Sequence, residues 1–519
     1  MTAKHRYDSL SGERNQFLQT AIDASKLTLP YLVKQDEESG THKTLLTPYQ
    51  SVGAKGVVTL ASKLMLALLP PQTSFFKLQL DEAVFAQGEV NPQIRSELDL
   101  SFAKIERTIL ESIAASDDRV VVHQALKHLV VSGNALIYMA KDKLKLYPLS
   151  RYVVNRDGLG NVIEIVTKES IDKSIVQEMM PDLKKEEVHD SEDNYSSLGK
   201  SNQCDVYTHI KRDNNRFVWH QEVYGQKIPK SFGKAPIDLT PWLPLRFNTV
   251  DNEAYGRGRV EEFLGDLESL DALSQAIIEG SAAAAKVVFT VSPSSTTKPA
   301  TLAKAGNGAI VQGRPDDIGV VQVGKTADFA TAYNMVQQLE KRLAEAFLIL
   351  NVRNSERTTA EEVRMTQMEL EQQLGGLFSL LTVDFLVPYL NRKLSQAQKT
   401  GDIPKIPKQF VKPTIVAGIN ALGRGQDRES LAMFMQTIAQ TMGPQAIGQY
   451  INPEEVIKRL AASQGIDVLN LVKTMEEVQG EQQQMMQQEQ ELAMANQASK
   501  FAQIDQQAEA QQAAADTPT

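Results

Sequence analysis

Residues 258–291, GRVEEFLGDLESLDALSQAIIEGSAAAAKVVFTV, join one long helical pattern directly to a β-branched run. Apolar side chains recur at three- and four-residue spacing from Gly258 to about Lys286, which is typical of an amphipathic helix. At about 1.5 Å per residue, such a helix spans roughly 40 Å. The run Val287–Val291 then predicts a strand, so the helix leads into a segment of different secondary structure.

The β-branched run opens a small module that continues, through turns rich in Pro, Gly and Ser, to about Gly324. A second long helix is predicted from Ala327 to Leu350, where apolar residues again recur at helical spacing. It would reach roughly 36 Å at about 1.5 Å per residue. The two helices are therefore similar in length and can pair, with the module at their tip.

A third long helix follows the second after a polar loop. The pattern Thr359-x-x-Glu362 is a capping box, in which a hydroxyl and a carboxylate satisfy free backbone N–H groups at a helix start. The helical pattern that begins there contains Gly375-Gly376 and Pro388, which are expected to bend the helix.

The residues before the first long helix combine helices with strands. Turn-forming residues at 155–161 separate two β-branched runs, Tyr152–Val154 and Val162–Val166, and so predict a hairpin. Gly133 is expected to end a helix just before a strand at Ala135–Met139. Helices are predicted at Ser9–Leu27, Tyr49–Leu69, Pro92–Ala115 and Asp118–Ser132, and further strands at Val206–Ile210 and Phe217–Val223.

The C-terminal part returns to helix. Pro404–Ile419 alternates prolines with strand-like residues, and Arg428–Glu477 is predicted to be helical with a break at Gly443-Pro444. Residues 478–519 are mainly Gln, Ala and Glu and predict a frayed helix or disorder, while the charged stretch 182–203 predicts a surface loop. Together the patterns indicate an α+β fold that is predominantly helical.

Composition narrows the classes of partner. The 519 residues include 64 acidic and 55 basic side chains, a formal charge of −9, so the overall basic excess of a duplex-binding protein is missing. The single cysteine, Cys204, excludes an intramolecular disulfide and favours a reducing cytosol. The N-terminus has no export signal, and the most apolar stretch, Val57–Leu69, contains Lys63 and is shorter than the about 20 residues that span a bilayer. No membrane association is expected.

No motif for a known catalytic chemistry is complete. The stretch LGKS at 198–201 contains Lys200 but lacks the first glycine of a phosphate-binding loop, which argues against a nucleotide-driven DNA translocase. The stretch GRGR at 256–259 lacks the third glycine of the dinucleotide fingerprint and is interpreted as a flexible entry to the long helix. The seven histidines show no paired ligand spacing. The sequence therefore predicts no enzyme, no cofactor and no metal site.

The charged side chains on the first long helix are the remaining candidates for a functional surface. Polar and acidic side chains lie on one side of it, away from the apolar stripe, at Glu261, Glu268, Gln275 and Glu279. Taken alone, this pattern is explained by an ordinary solvated face. If many copies surrounded DNA, the same stripe would form an acidic wall that repels phosphates and lets the duplex slide.

The polar loop at 351–358 has the opposite character. It carries Arg353, Asn354 and Arg357 between two long helices. A ring of such loops would contact the phosphate backbone without reading base sequence.

The order of these parts resembles the portal family, the head-to-tail connectors of short-tailed (podovirus) double-stranded DNA phages. The resemblance spans about Ser51 to Asp427, and each stretch is weak alone but specific in this order. The stretches are SVGAKGVVTLASKLMLALLPPQT, LKHLVVSGNALIY, SRYVVNRDGLGNVIEIVTK, YGRGRVEEFLGDLESL, VQGRPDDI, RTTAEEVR, ELEQQLGGLFSLL and GINALGRGQD. The resemblance implies the portal fold, assembled as a dodecameric ring at one capsid vertex, with no catalysis of its own.

The resemblance also implies a division of the chain. The expected parts are a wing (1–254 with 404–426), two stem helices (255–286 and 327–350), a clip (287–324), a tunnel loop (351–358), a long bent helix (359–400), a crown (427–477) and a C-terminal tail (478–519).

The implied function is a structural conduit for genome packaging and ejection. The implied partners are double-stranded DNA bound without sequence specificity, the major capsid and scaffolding proteins, the large terminase subunit as a transient packaging ATPase, and the tail adaptor, tail tube and internal core proteins. The implied location is the virion, with the host cytoplasm during assembly.

The alternative is another virion structural protein, such as a tail adaptor or an internal capsid protein. Two long helices with apolar stripes also favour an obligate closed ring over a stable monomer.

Overall fold

The structure is a computed structural model of one chain. It describes residues 1–34, 45–70, 74–80, 92–180, 203–284, 288–295, 297–306, 310–312, 314, 316, 318–321, 326–349, 375–404, 411–415, 424–443, 451 and 456–457. The chain divides into two compact units, Met1–Ala421 and Leu422–Thr519. The capping box at Thr359, the Gln-rich C-terminal residues and the predicted loop at 182–203 lie outside the described residues, except Gln203, which begins a strand.

The helices of the first unit follow the predicted order. All four predicted N-terminal helices are confirmed, three of them within three residues at each end, and Gly133 ends the fourth with a φ of 71°. The helices are α1 (Ala3–Lys26), α2 (Val52–Leu68), α3 (Pro92–Ala114), α4 (Asp118–Ser132), α5 (Lys173–Met179), α6 (Arg259–Glu262), α7 (Leu264–Ala284), α8 (Pro299–Lys304), α9 (Thr326–Ala346) and α10, which comprises 375–381, a π-helical turn at Thr382–Leu386 and Val387–Thr400.

The described strands of the first unit form four antiparallel sheets, with the orders β1-β13, β10-β2-β3, β11-β12 and β4-β5-β6-β7-β8, in which β9 also pairs with β7. The predicted hairpin is confirmed as β4 and β5. The strands are β1 (Phe76–Leu80), β2 (Asn134–Met139), β3 (Leu144–Tyr147), β4 (Tyr152–Arg156), β5 (Val162–Asp172), β6 (Gln203–Asp213), β7 (Arg216–Val223), β8 (Gln226–Lys227), β9 (Gly233–Pro236), β10 (Trp242–Arg246), β11 (Val288–Val291), β12 (Ile318–Val321) and β13 (Val411–Ile415).

The largest apolar core joins α2, α4, α9 and α10. Its members share near-complete burial, and α2 contributes several of them because its apolar residues recur at helical spacing. The core includes Val57, Leu60, Leu64, Leu126, Leu129, Leu343, Phe347, Leu381 and Leu390. A side chain of this size stabilises the fold by about 1.5–3 kcal/mol when fully buried. No helix among the described residues is long and apolar enough to cross a bilayer.

Helix α1 begins earlier than predicted, at Ala3 rather than Ser9. Thr2 caps it by accepting a hydrogen bond from the backbone N–H of His5 at 3.3 Å. The Ala3 N–H donates to the buried Glu222 carboxylate at 2.6 Å, which places the helix start on the sheet. Because this contact joins residues 219 positions apart, local spacing did not reveal it.

The first long helix is not continuous as predicted. It divides into α6 and α7 at Phe263, whose backbone leaves the helical region at φ −117° and ψ 18°. The Phe263 ring packs 6.0 Å from the ring of Phe347, and the Arg259 guanidinium lies 4.9 Å from its centroid. The break therefore lies where the side chain at 263 packs against the residue that follows α9.

Strands β1 and β13 form a two-stranded sheet from distant parts of the chain, with Leu78 opposite Pro413. The Leu78 N–H donates to the Glu106 carboxylate of α3 at 2.7 Å, so it points away from β13. The same antiparallel geometry turns the nitrogen of Pro413 toward the other edge, where proline has no hydrogen to donate.

Helix α10 contains a π-helical turn just before Pro388. The bend predicted there stays a prediction. Beyond Pro388, Lys393 and Tyr389 hold the helix against the start of α4. The Lys393 ammonium and the Tyr389 hydroxyl each lie 2.7 Å from the same oxygen of Asp118, which is buried. Burial and the Asp118 carboxylate raise the pKa of Tyr389 well above its ordinary value, so the hydroxyl stays a donor.

The described part of the second unit is mainly helix α11 (Arg424–Met442). It ends at Gly443 with a φ of 86°, which confirms the predicted break at Gly443-Pro444. Met433, Phe434 and Met442 on this helix are exposed.

Candidate functional site

The predicted pairing of the two long helices is confirmed by α7 and α9, which we call the stem. Contacts between them follow an antiparallel order, from Phe263 beside Phe347 to Asp266 beside Arg342. The Arg342 guanidinium lies 2.8 Å from the Asp266 carboxylate. Strands β11 and β12 with α8 follow at the far end of the stem, and we call these three elements the clip module.

The stem starts from a close crossing of two backbone segments, which we call the glycine joint: Gly133 and Asn134 against Gly256 and Gly258. A Cβ on Gly133 would lie 2.5 Å from the Gly256 carbonyl oxygen, and one on Gly258 would lie 2.6 Å from the carbonyl oxygen of Val131. Only hydrogen fits at these positions. The interpretation of residues 256–259 as a flexible entry is therefore wrong, because this segment is tightly packed.

Asn134 binds the crossing segment at both ends of its amide. Its Nδ2 donates to the Gly256 carbonyl at 2.7 Å, and its Oδ1 accepts from the Gly256 N–H at 2.8 Å. Asn134 is buried, so these bonds satisfy polar atoms that water does not reach. The joint connects the sequence stretches SGNALIY and YGRGRVEEFL, a contact that sequence reasoning missed.

Arg257 links the joint to the first helix of the predicted stem. Its guanidinium lies 2.6 Å from the Glu253 carboxylate and 2.6 Å from that of Glu261. The hydrogen bonds that Arg257 donates to Glu253 and then to Glu261 raise the pKa of Arg257. Glu261, predicted to belong to the acidic stripe, thus has an arginine partner within the subunit.

Glu268 and Glu279, the other predicted stripe residues, differ from Glu261. Both lie on α7 and are exposed. Gln275 donates a hydrogen bond to Glu279 at 2.8 Å, which leaves the negative charge in place. Within the described part of the chain neither carboxylate forms an ion pair, so two of the three predicted acids present an uncompensated charge.

Arg353, Asn354 and Arg357 lie outside the described residues, so their predicted role stays a prediction. The structure does describe where the chain leaves α9 toward them. Lys63 of α2 donates to the Leu348 carbonyl at 2.6 Å. The sequence shows Lys63 within an apolar helix but does not indicate its partner. A lysine in such a place needs an acceptor, which is the signal that could have revealed this contact.

Two histidines that are distant in sequence are brought together by strand pairing. His209 and His220 face each other in β6 and β7, with ring centroids 5.5 Å apart. His209 lies 2.6 Å from Glu164, and His220 lies 2.8 Å from Glu222. Among the described residues no group of three or more His, Cys, Asp or Glu side chains is arranged to hold a metal ion.

A polar cavity of about 420 Å³ lies beside the β4–β5 turn and includes Arg156 and Arg246 in its wall. The Arg156 guanidinium donates to the carbonyls of Gly160, Pro244 and Ala254 at 2.9–3.0 Å. Its donors hold the turn against neighbouring backbone, which favours a structural role for this arginine.

Comparison with known proteins shows which family this chain matches. Residues 1–470 match the family model described as bacteriophage head to tail connecting protein. The chain is 37% identical over 512 residues to the portal protein of Escherichia phage T7, covering 96% of this chain and 93% of that protein. It is 37% identical over 488 residues to the portal protein of Enterobacteria phage T3, covering 92% and 89%. A solved structure, the neck of an empty GTA particle computed with C6 symmetry, covers 80% of this chain and 90% of its own at 11% identity and a TM-score of 0.41.

Proposed function

This chain belongs to the family of bacteriophage head to tail connecting proteins, and on that premise we propose that twelve copies form a ring whose channel carries double-stranded DNA. Membership of the family establishes the general role of the chain: it is a structural portal protein of the virion and not an enzyme. Its place is the capsid vertex, where head meets tail. The channel, its lining residues and its partners are the proposal.

The single observation that carries the channel proposal is the uncompensated acid on α7. Glu268 and Glu279 are exposed on one side of a helix whose other side packs against α9 and the core. A ring that places this face inward repeats both carboxylates around DNA. Like charge on wall and phosphate prevents adhesion, so DNA moves through without sticking.

The loop after α9 extends the proposal. Arg353, Asn354 and Arg357 follow the stem by a few residues and supply two positive charges where the wall is acidic. They contact phosphates of packaged DNA without base specificity. Rings of the double variant R353A/R357A should assemble normally and package or retain less DNA; normal packaging and retention would remove these residues from the site.

The clip module supports the partner proposals. Helix α8 has no buried residue and Ile310 is fully exposed, so this part of the described chain offers its surface to other proteins. We assign it to the large terminase subunit during filling and then to the tail adaptor and tail tube. The wing faces the major capsid and scaffolding proteins, the crown faces the internal core proteins, and assembly takes place in the host cytoplasm.

The channel proposal is tested by reversing charge on α7. Purified rings are first counted by electron microscopy, where twelve-fold particles with a central hole are expected. Wild-type rings should bind duplex DNA weakly. The variant E268K/E279K should bind it at least about tenfold more tightly at low salt, with the gain lost as salt rises, because each lysine adds phosphate contacts.

The matched control is E13K/E178K, which makes the same charge change at two exposed positions outside α7 and α9. It should bind DNA less tightly than E268K/E279K. Equal binding by the two variants would contradict an inward-facing α7, and monomeric particles would contradict the ring itself.

A further inference from the structure

The end of α9 has an unusual backbone conformation. The helix ends at Ala346, and two residues later Leu348 has a φ of 55°. An L-residue other than glycine is strained in this left-handed region, and leucine has no side-chain group that compensates for it locally. Leu348 is also buried, so contacts with neighbouring residues contribute to holding the conformation.

Two backbone hydrogen bonds close this turn, from the Leu348 N–H to the Glu345 carbonyl at 3.0 Å and from the Ile349 N–H to the Ala344 carbonyl at 2.7 Å. Three side-chain contacts add to them. The Phe347 ring lies against Gly56, where a Cβ would come within 2.6 Å of the ring. Arg259 donates to the Ala346 carbonyl at 3.2 Å, and Lys63 donates to the Leu348 carbonyl at 2.6 Å. Both cations bind carbonyls at a helix C-terminus, where the helix dipole favours positive charge.

Lys63 has the more specific role of the two cations. It lies on α2, one element away from the stem, and burial lowers the pKa of its ammonium. Within the described part of the chain it has no carboxylate partner, and its hydrogen bond goes to the carbonyl of the strained residue. Arg259, by contrast, also forms an ion pair with Glu262 at 2.6 Å.

We propose that Lys63 is a positioning residue that holds Leu348 in its left-handed conformation and so fixes the direction in which the chain leaves the stem. This inference rests on the proposed function, in which the next residues contact DNA. Without the bond, Leu348 returns to the right-handed region and α9 continues. Each added helical residue turns the exit by about 100° and advances it by about 1.5 Å.

The test compares Lys63→Met, which keeps side-chain length but removes the donor, with Lys63→Arg, which keeps a donor. Electron cryomicroscopy of the assembled rings is the first readout. In K63M rings α9 should extend through Leu348, whereas K63R rings should keep the wild-type end at Ala346. An unchanged Leu348 conformation in K63M would overturn the proposal. This readout does not depend on DNA, so it separates failure of this inference from failure of the channel proposal.

DNA packaging is the second readout. K63M should lower packaging yield at least about fivefold, K63R should restore most of it, and K55M should match wild type. Lys55 is an exposed lysine on the same helix, which makes K55M the matched control. If K63M and K63R lose packaging equally, Lys63 acts through packing alone and the positioning role is wrong.

A second substitution separates positioning from packing. Glycine adopts a φ of 55° without strain, so L348G in the K63M background should recover part of the lost packaging and the wild-type helix end. If Lys63 only filled space, removing a second buried side chain would lower packaging further. That outcome would also overturn the proposal.

Discussion

The base of the stem and the clip module at its far end differ in how much of their stability lies within one subunit. At the base, Tyr255, Val260 and Leu267 are completely buried, and the glycine joint leaves no room for a methyl group. In the clip module, α8 has no buried residue and β11 pairs only with β12 among the described strands. The base is therefore closely packed within the subunit, whereas the described part of the clip module buries little within it.

The largest effect is expected at the glycine joint. Gly258→Ala would place a methyl carbon 2.6 Å from the Val131 carbonyl oxygen and 2.9 Å from the Gly133 nitrogen. Backbone atoms cannot move aside as a flexible side chain can, so we expect a loss of about 3 kcal/mol or more in the free energy of unfolding. Denaturant unfolding, or a lowered midpoint of thermal unfolding, measures it.

Gly12→Ala is the control for that substitution. Gly12 lies in α1, and no atom beyond its chain neighbours and its own helix backbone lies within 4 Å of the place that an added methyl group would take. Alanine there should stabilise the helix by about 0.5–1 kcal/mol. Equal behaviour of the two variants would contradict the view that the joint is closely packed.

A smaller, pH-dependent effect on the free energy of unfolding is expected at Glu164 in strand β5. Burial raises the pKa of Glu164, but hydrogen bonds from Arg6 and His209 outweigh it, so the pKa is lower than its ordinary 4.5. The bonded carboxylate therefore stabilises the fold at pH above 4.5, and this stabilisation is lost as the pH falls through the folded pKa.

Glu164→Gln should cost about 1.5–3 kcal/mol near neutral pH, because it weakens two bonds to a buried charge, and the cost should shrink toward pH 3. Unfolding curves at several pH values measure the difference. A cost that does not change with pH would show that charge at Glu164 is not what stabilises this contact.

The smallest effect on subunit stability is expected in the clip module. Thr290→Val removes the hydroxyl that donates to the Gly319 carbonyl at 3.1 Å on an exposed surface. We expect a change within about 0.5 kcal/mol. A loss as large as that of Gly258→Ala would remove the contrast between the two ends of the stem.

Local patterns predicted the parts of the fold that depend on neighbours in sequence. Helix α4 and its end at Gly133, the β4–β5 hairpin and the two stem helices all follow from residue spacing and turn chemistry. The pairing of β1 with β13 did not follow, because residues more than three hundred positions apart decide it. The break at Phe263 was also missed; it lies where Phe263 contacts Phe347, a residue 84 positions further along the chain.

The candidate site divides in the same way. Helical spacing placed Glu268 and Glu279 on a solvent-facing side of α7, as the structure shows. It placed Glu261 there too, but could not show that Arg257 neutralises it, because that depends on how the chain enters the helix. Lys63 and Leu348 come together only through the packing of α2 against the end of α9.

The β1–β13 ribbon has a consequence for how copies of this chain meet. A ring brings identical strands to high local concentration, where an open edge would invite strand exchange or fibrous aggregation. On the outer edge of β1, the N–H of the central residue Leu78 already donates to Glu106. On the outer edge of β13, the central residue is Pro413, which has no N–H. Neither edge offers its central N–H to a further strand, so pairing of this ribbon with the ribbon of a second copy is disfavoured at both edges.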